Sequence, residues 1–110
     1  MKQEIEHYTN RAVGTGTMHI ERLLTTKEMG SHVKMYARVT IDVNSSLGYH
    51  KHEDDTEVYY ILEGHALYND NGMERELKPG DVTCTPNGKS HGIKNIGNEP
   101  LVFMALILLK

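Results

Sequence analysis

The sequence predicts an all-β fold, an antiparallel sandwich or barrel, and three observations carry that prediction. Apolar residues recur with a period of two rather than 3.6, most clearly over Val33–Val43, where the odd positions are apolar and most even positions are polar. Clusters of Gly, Pro, Asn and Asp separate the apolar segments. The length of 110 residues suits one core, so we expect a single domain over residues 1–110.

The elements follow from these patterns in chain order. Within residues 1–12, Ile5, Tyr8 and Ala12 would share one face of a helix, and we predict a short helix only there. Turns such as Asn69-Asp70-Asn71-Gly72 bound the later segments, and eight short strands between tight turns are typical of a sandwich or barrel. The predicted strands are Thr17–Leu24, Val33–Val43, Glu57–Leu62, His65–Asn69, Met73–Leu77, Val82–Thr85, His91–Lys94 and Leu101–Leu109.

Two of the predicted strands are apolar on both faces. If Glu57 points inward, Tyr59 and Ile61 do so too. The outward residues are then Val58, Tyr60 and Leu62, which are also apolar. Leu101–Leu109 has no polar face at all. Because a strand that is apolar on both sides needs a second cover, we expect a homodimer.

Composition and charge exclude several classes of function. The net charge of −3 argues against nucleic acid as a partner, since phosphate binding requires a basic surface. The longest apolar run, Leu101–Leu109, is too short for a membrane-spanning helix, and the first residues lack the apolar core of a signal peptide. Cys84 is the only cysteine, which precludes an intramolecular disulfide. We therefore expect a cytoplasmic protein without a membrane partner.

Seven histidines stand in the 110 residues, and three of them fall near a glutamate at metal-ligand spacing. His50 and His52 would lie on one face of a strand, roughly 7 Å apart. We expect the chain to reverse over the next four residues and bring Glu57 back beside them, and His91 could add a third imidazole. Three neutral imidazoles and one carboxylate suit Mn, Fe, Co, Ni or Zn, with coordination positions left for water or substrate.

Several other residues are interpreted as structural. A His-x-His pair alone is weak evidence for a metal, and Glu53-Asp54-Asp55 is interpreted as a solvated loop. Cys84 is interpreted as a small buried apolar residue, and Tyr59 and Tyr60 first of all as packing residues. The histidines without partners at ligand spacing, which we interpret as surface or satisfied polar residues, are His7, His19, His32 and His65.

The spacing of the metal-ligand candidates resembles the two motifs of the cupin superfamily, over residues 44–95. The first motif, Gly-x5-His-x-His-x3–4-Glu-x6-Gly, is matched by His50, His52, Glu57 and Gly64, with Asn44 in place of the leading glycine. Asparagine tolerates the left-handed backbone better than most residues, so the turn can survive. The second motif, Gly-x5-Pro-x-Gly-x2-His-x3-Asn, is matched by Gly80, Pro86, Gly88, His91 and Asn95.

The resemblance implies a single double-stranded β-helix, the jelly-roll barrel of cupins. It also implies one divalent transition metal per chain, held by His50, His52, Glu57 and His91. Small cupins commonly pair as dimers, sometimes by exchanging an N-terminal strand, for which Thr17–Leu24 is the candidate here.

Cupin functions are too diverse for the fold to name the reaction. We expect a metal-dependent enzyme acting on a small oxygen-bearing molecule, of the dioxygenase, decarboxylase or sugar isomerase or epimerase type. The alternatives are a non-catalytic module that binds a small molecule or sugar, and a barrel with a purely structural metal. Tyr59 is the first candidate for a catalytic group because it shares parity with Glu57, and Tyr36, Arg38 and Cys84 are weaker candidates.

Overall fold

The computed structural model describes residues 5–110, which form ten strands, one α-helical turn and one 3₁₀ turn. The helical turns are the 3₁₀ turn Arg11–Val13 and α1 (Thr26–Met29). The strands are β1 (Ile5–Thr9), β2 (Thr17–Arg22), β3 (Val33–Ile41), β4 (Ser46–Lys51), β5 (Asp55–Glu63), β6 (Ala66–Asp70), β7 (Met73–Leu77), β8 (Val82–Thr85), β9 (Ser90–Asn95) and β10 (Leu101–Leu109).

Two antiparallel sheets face each other and form a jelly roll, which confirms the predicted fold class. The larger sheet has the strand order β1-β2-β3-β10-β5-β8, and the smaller has the order β4-β9-β6-β7. The alternation that predicted β3 places Met35, Ala37, Val39 and Ile41 in the core. Phe103 on β10 packs against the ring of Tyr59 in the interior, with ring centroids 4.3 Å apart.

The helix predicted within residues 1–12 is wrong for the part that the structure describes. Ile5–Thr9 is an edge strand that pairs with β2, with Tyr8 opposite Met18. Residues 1–4 of that prediction lie outside the described residues. An isolated helix of this length is marginal in water, whereas pairing with β2 satisfies the backbone groups along one edge. Ala12, expected on the helix, instead has a left-handed backbone with φ of 52°.

The chain between the first two histidines and Glu57 also differs from the prediction. β4 belongs to the smaller sheet and β5 to the larger one, so the chain crosses between sheets here and does not form a hairpin. Asp54 makes this corner with a left-handed φ of 65°, and β5 begins at the next residue. The crossing places Glu57 across the barrel interior from β4, which still brings it to the histidines.

The outer face of the larger sheet is apolar at its centre. Tyr60 on β5 lies beside Met104 on β10, and Leu106 lies between Val58 and Tyr36. These side chains are exposed or half-buried in the single chain. Separately, no helix among residues 5–110 is long and apolar enough to span a membrane.

Candidate metal centre

Both sheets contribute to the candidate metal centre, a cluster of His50, His52, Glu57 and His91. His50 on β4 lies directly opposite His91 on β9, and His52 follows one residue after the end of β4. Glu57 reaches the cluster from β5 of the larger sheet. One ligand atom from each residue lies within 4.8 Å of the others, and all but the half-buried His50 are buried.

The distances among three of the donor atoms fit ligands of one ion. The Nε2 atoms of His52 and His91 are 3.0 Å apart. Glu57 Oε1 lies 2.9 Å from His52 Nε2 and 3.1 Å from His91 Nε2. Two ligands at about 2.1 Å from an ion and at right angles lie ~3.0 Å apart, so the observed triangle has the size of one face of a coordination shell.

Each imidazole also has a partner for its Nδ1 atom, so Nε2 is the nitrogen that can bind an ion. His50 Nδ1 donates to the carbonyl oxygen of Gly48 at 2.7 Å, and His52 Nδ1 donates to the Asp55 carboxylate at 2.7 Å. His91 Nδ1 lies 2.8 Å from the Tyr68 hydroxyl and 2.9 Å from the Thr85 hydroxyl. Such outer partners fix the ring orientation and tautomer of metal-binding histidines. The four residues therefore fit a divalent transition metal.

The backbone around His52 is tied to the turn that precedes His91. The His52 amide donates to the carbonyl of Lys89, and the amide of Gly88 donates back to the carbonyl of His52. Gly88 has a φ of 89°, which favours glycine. The turn of the second motif thus positions two of the metal-ligand candidates, His52 and His91.

Electrostatics keep Glu57 charged despite its burial. Burial raises the pKa of this carboxyl, but hydrogen bonds with His52 and His91 outweigh it and lower the pKa to about 2. The hydrogen bond with Glu57 raises the pKa of His52, whereas burial lowers the pKa of His50. Glu57 is therefore a carboxylate at neutral pH, the form that binds a metal.

The sequence analysis missed Asp55, which contacts His52 of the candidate metal centre. We interpreted it as part of a solvated loop, but it is buried and its carboxylate accepts from His52 while Lys34 Nζ lies 3.5 Å away. The signal that could have found it is parity, because Asp55 and Glu57 are two apart and point to the same face of β5. Tyr68 and Thr85, which contact His91, were likewise not singled out.

Tyr59, the predicted catalytic candidate, lies beside the cluster. Its ring stacks on that of His91 with centroids 4.9 Å apart, and its hydroxyl is 3.5 Å from His91 Nε2. Burial raises the pKa of Tyr59 well above its usual value, so the hydroxyl stays protonated. The weaker candidates Tyr36, Arg38 and Cys84 are exposed and lie outside the cavity beside the cluster, because their parity directs them to the outer face. Cys84 is exposed and not buried as expected.

A cavity of about 480 Å³ opens beside the cluster. His50, His52, Glu57 and Tyr59 line one part of it, and apolar side chains such as Ile20 line much of the rest. A volume of this size is within the usual range of small-molecule sites.

Residues 37–107 match the family model for the cupin domain. This chain belongs to the cupin family. The cupin is 40% identical over 104 residues to an oxalate-binding protein of Thermotoga maritima, a match that covers 94% of this chain and 86% of the relative.

Solved structures agree with this assignment. The crystal structure of a predicted oxalate decarboxylase from Thermotoga maritima superposes with a TM-score of 0.93 at 40% identity, over 96% of this cupin and 92% of that chain. KdgF from Halomonas sp. superposes with a TM-score of 0.71 at 20% identity, over 84% and 80% of the two chains, which supports the fold alone.

Proposed function

We propose that this cupin holds one divalent transition metal through His50, His52, Glu57 and His91, and that the metal binds a small acid with a second chelating oxygen, such as oxalate. The observation that carries the proposal is the convergence of three imidazoles and a carboxylate, of which His50, His52 and Glu57 line a cavity. The relative from Thermotoga maritima named as an oxalate-binding protein supports the choice of ligand.

A bound ion would supply positive charge that polarises a carbonyl or carboxylate oxygen. The residues of this chain supply the rest of the site. The protonated hydroxyl of Tyr59 can donate a hydrogen bond to a ligand oxygen, and the apolar wall lowers the local dielectric constant and strengthens that contact.

Turnover of the bound acid, by decarboxylation or by an oxygenase or isomerase reaction, is the second candidate function. The observation that favours it is the position of Tyr59, a proton donor beside the ligand set. Among the described residues that line the cavity, Glu57 is the only carboxylate, and it belongs to the metal set. Since a second acid–base group is missing from that lining, we favour binding over catalysis. A purely structural metal is disfavoured because the cluster borders an open cavity.

The test begins with metal content. We expect close to one divalent ion per chain in the wild type, and much less in His52→Ala and His91→Ala, while the exposed His32→Ala serves as the matched control. Equal metal content in all four proteins would contradict the site. Calorimetric titration of the metal-loaded wild type should then show oxalate binding that is absent after the metal is removed by a chelator.

Turnover is tested on the same samples. Consumption of oxalate by the metal-loaded wild type, lost in His91→Ala, would favour the enzyme over the binding module. Binding without consumption, in the presence of dioxygen and with each of several metals, would favour the binding module.

A further inference from the structure

Two arginines reach the cavity from the N-terminal part of the chain. Arg22 continues the inward-facing series of Met18 and Ile20 on β2, and all three line the cavity. Arg11 comes from the 3₁₀ turn and lines it as well. The cavity therefore has cationic groups in addition to the metal ligands, and neither arginine belongs to the cupin motifs quoted above.

The guanidinium of Arg22 is held at one edge and open at the other. Its Nε donates to the Glu6 carboxylate at 2.6 Å, and Nη2 lies 3.5 Å from the other oxygen of that group. The Tyr8 hydroxyl donates to Glu6 as well, and the guanidinium of Arg11 lies over the Tyr8 ring at 3.9 Å. The hydrogen bonds to Glu6 use Nε and Nη2 of Arg22 and do not use Nη1. An arginine fixed by its Nε edge can still bind a carboxylate through its terminal nitrogens.

The segment that carries Arg11 is packed tightly on the strand that carries His50. A Cβ on Gly48 would lie 1.7 Å from the carbonyl oxygen of Ala12, so only glycine allows this approach. Ala12 and Val13 both have left-handed φ values, 52° and 60°, a costly conformation for residues with a Cβ. This costly left-handed backbone thus occurs in the 3₁₀ turn Arg11–Val13, which contributes residues to the cavity lining.

The cavity is larger than oxalate requires. At about 30 Å³ per non-hydrogen atom, the share of a molecule in liquid water, the six atoms of oxalate need at most ~180 Å³. The cavity measures about 480 Å³. Its remaining wall is apolar and includes Met35, Val39 and Phe103, so the additional volume suits a hydrocarbon chain better than water.

We propose that this cupin selects a dicarboxylic acid with three parts: an oxygen chelate at the metal, a short apolar chain, and a distal carboxylate bound by Arg22 and Arg11. The inference rests on the proposed function and refines it by naming the ligand class. Oxalate then represents only the chelating end of the preferred ligand.

The test compares matched acids on the full-length protein loaded with cobalt(II). The diacids 2-hydroxyglutarate and 2-hydroxyadipate are titrated calorimetrically beside the monoacids of equal chain length, 2-hydroxypentanoate and 2-hydroxyhexanoate. We expect at least one diacid to bind about tenfold more tightly than its monoacid, the gain expected of a charge-assisted contact.

The variants assign that gain to the arginines. In Arg22→Gln the ratio of diacid to monoacid affinity should fall close to one, while monoacid affinity and cobalt content stay unchanged. Arg38→Gln is the matched control, because Arg38 points to the outer face of the same sheet and should keep the wild-type ratio. If Arg22→Gln does not fold, the exposed Arg11→Gln takes its place and should lower the ratio at least threefold.

The outcomes separate this inference from the proposed function. If oxalate and the monoacids bind but every diacid ratio is near one, the inference fails and the proposed function stands. A tenfold ratio that persists in both arginine variants also overturns the inference. If neither oxalate nor any hydroxy acid binds the cobalt-loaded protein, the proposed function fails and the inference fails with it.

Discussion

Replacement of Asp55 by asparagine removes the charge that orients His52 and keeps the shape of the side chain. The carboxylate is buried and accepts from His52 Nδ1 at 2.7 Å, while His52 Nε2 lies in the triangle of donor atoms. Asparagine can still accept one hydrogen bond through its oxygen, but without charge. We therefore expect the fold to survive and the metal affinity to fall.

The magnitude follows from the difference between the two hydrogen bonds. Bonds to a charged group contribute roughly 1.5–3 kcal/mol and neutral ones about 0.5–1.5 kcal/mol, so the exchange costs on the order of 1–1.5 kcal/mol. That corresponds to about a tenfold loss of metal affinity, within the range of about 10–100-fold found for outer partners of metal-binding histidines.

The assay is competition for cobalt(II) or zinc(II) between the protein and a chromophoric chelator. Asp54→Asn provides a control with the same chemical change one residue earlier, since Asp54 is exposed and its left-handed backbone tolerates asparagine. Urea unfolding of both metal-free variants separates loss of affinity from loss of stability. Equal affinity in Asp55→Asn and Asp54→Asn, within threefold, would refute the argument that the Asp55 charge positions His52.

Two further predictions follow from the charges of the cluster and from the outer face of the larger sheet. In the metal-free protein, the lowered pKa of Glu57, about 2, stabilises the fold above pH 4.5, and this contribution is lost as the pH falls from 4.5 towards 2. Urea unfolding at pH 5 and pH 3 should show a loss of about 2 kcal/mol from this group. An equally steep loss in Glu57→Gln would contradict Glu57 as the source. We also expect a homodimer that covers the apolar face around Tyr60 and Met104. Light scattering at micromolar concentration should give twice the monomer mass for the wild type and the monomer mass for Met104→Glu. A monomeric wild type would contradict the predicted dimer.

The strands whose side chains alternate could be predicted from the sequence because their burial depends on one local property. Met35, Ala37, Val39 and Ile41 on β3 are buried as the period of two predicted, whereas Val33 is half-buried and Val43, beyond the end of the strand, is exposed. The strands Met73–Leu77, Val82–Thr85 and Leu101–Leu109 have the predicted bounds. β1 was predicted as a helix because Ile5 and Tyr8 are three residues apart, the spacing of one face of a helix, whereas in the strand they point to opposite faces. Pairing with the edge of β2 makes residues 5–9 a strand and not a helix, and no local pattern in those residues predicts that pairing.

The four metal-ligand candidates could be predicted from the sequence, whereas the residues that support them could not. Three histidines and a glutamate stand at a spacing that can be recognised along the chain, and the structure brings all four together. Asp55 could not be separated from its acidic neighbours by composition, because its burial depends on the corner at Asp54 that moves the chain from one sheet to the other. Arg22 became visible only once the register of β2 showed that it follows Ile20 on the inward face.

Arg22 and Arg11 show where the proposed ligand specificity can be placed beside the candidate metal centre. The four metal-ligand candidates come from β4, β5 and β9 and from the chain just after β4, which lie at the centre of the motif region. Arg22 and Arg11 come instead from the N-terminal segment that lines the cavity, where Glu6 and Tyr8 hold them in place. None of the described residues of that segment belongs to the four metal-ligand candidates, so we expect exchange of its side chains to change the ligand more than the metal site. Under the proposed function, the ligand class would therefore change through residues 5–22 while the four metal-ligand candidates stay the same.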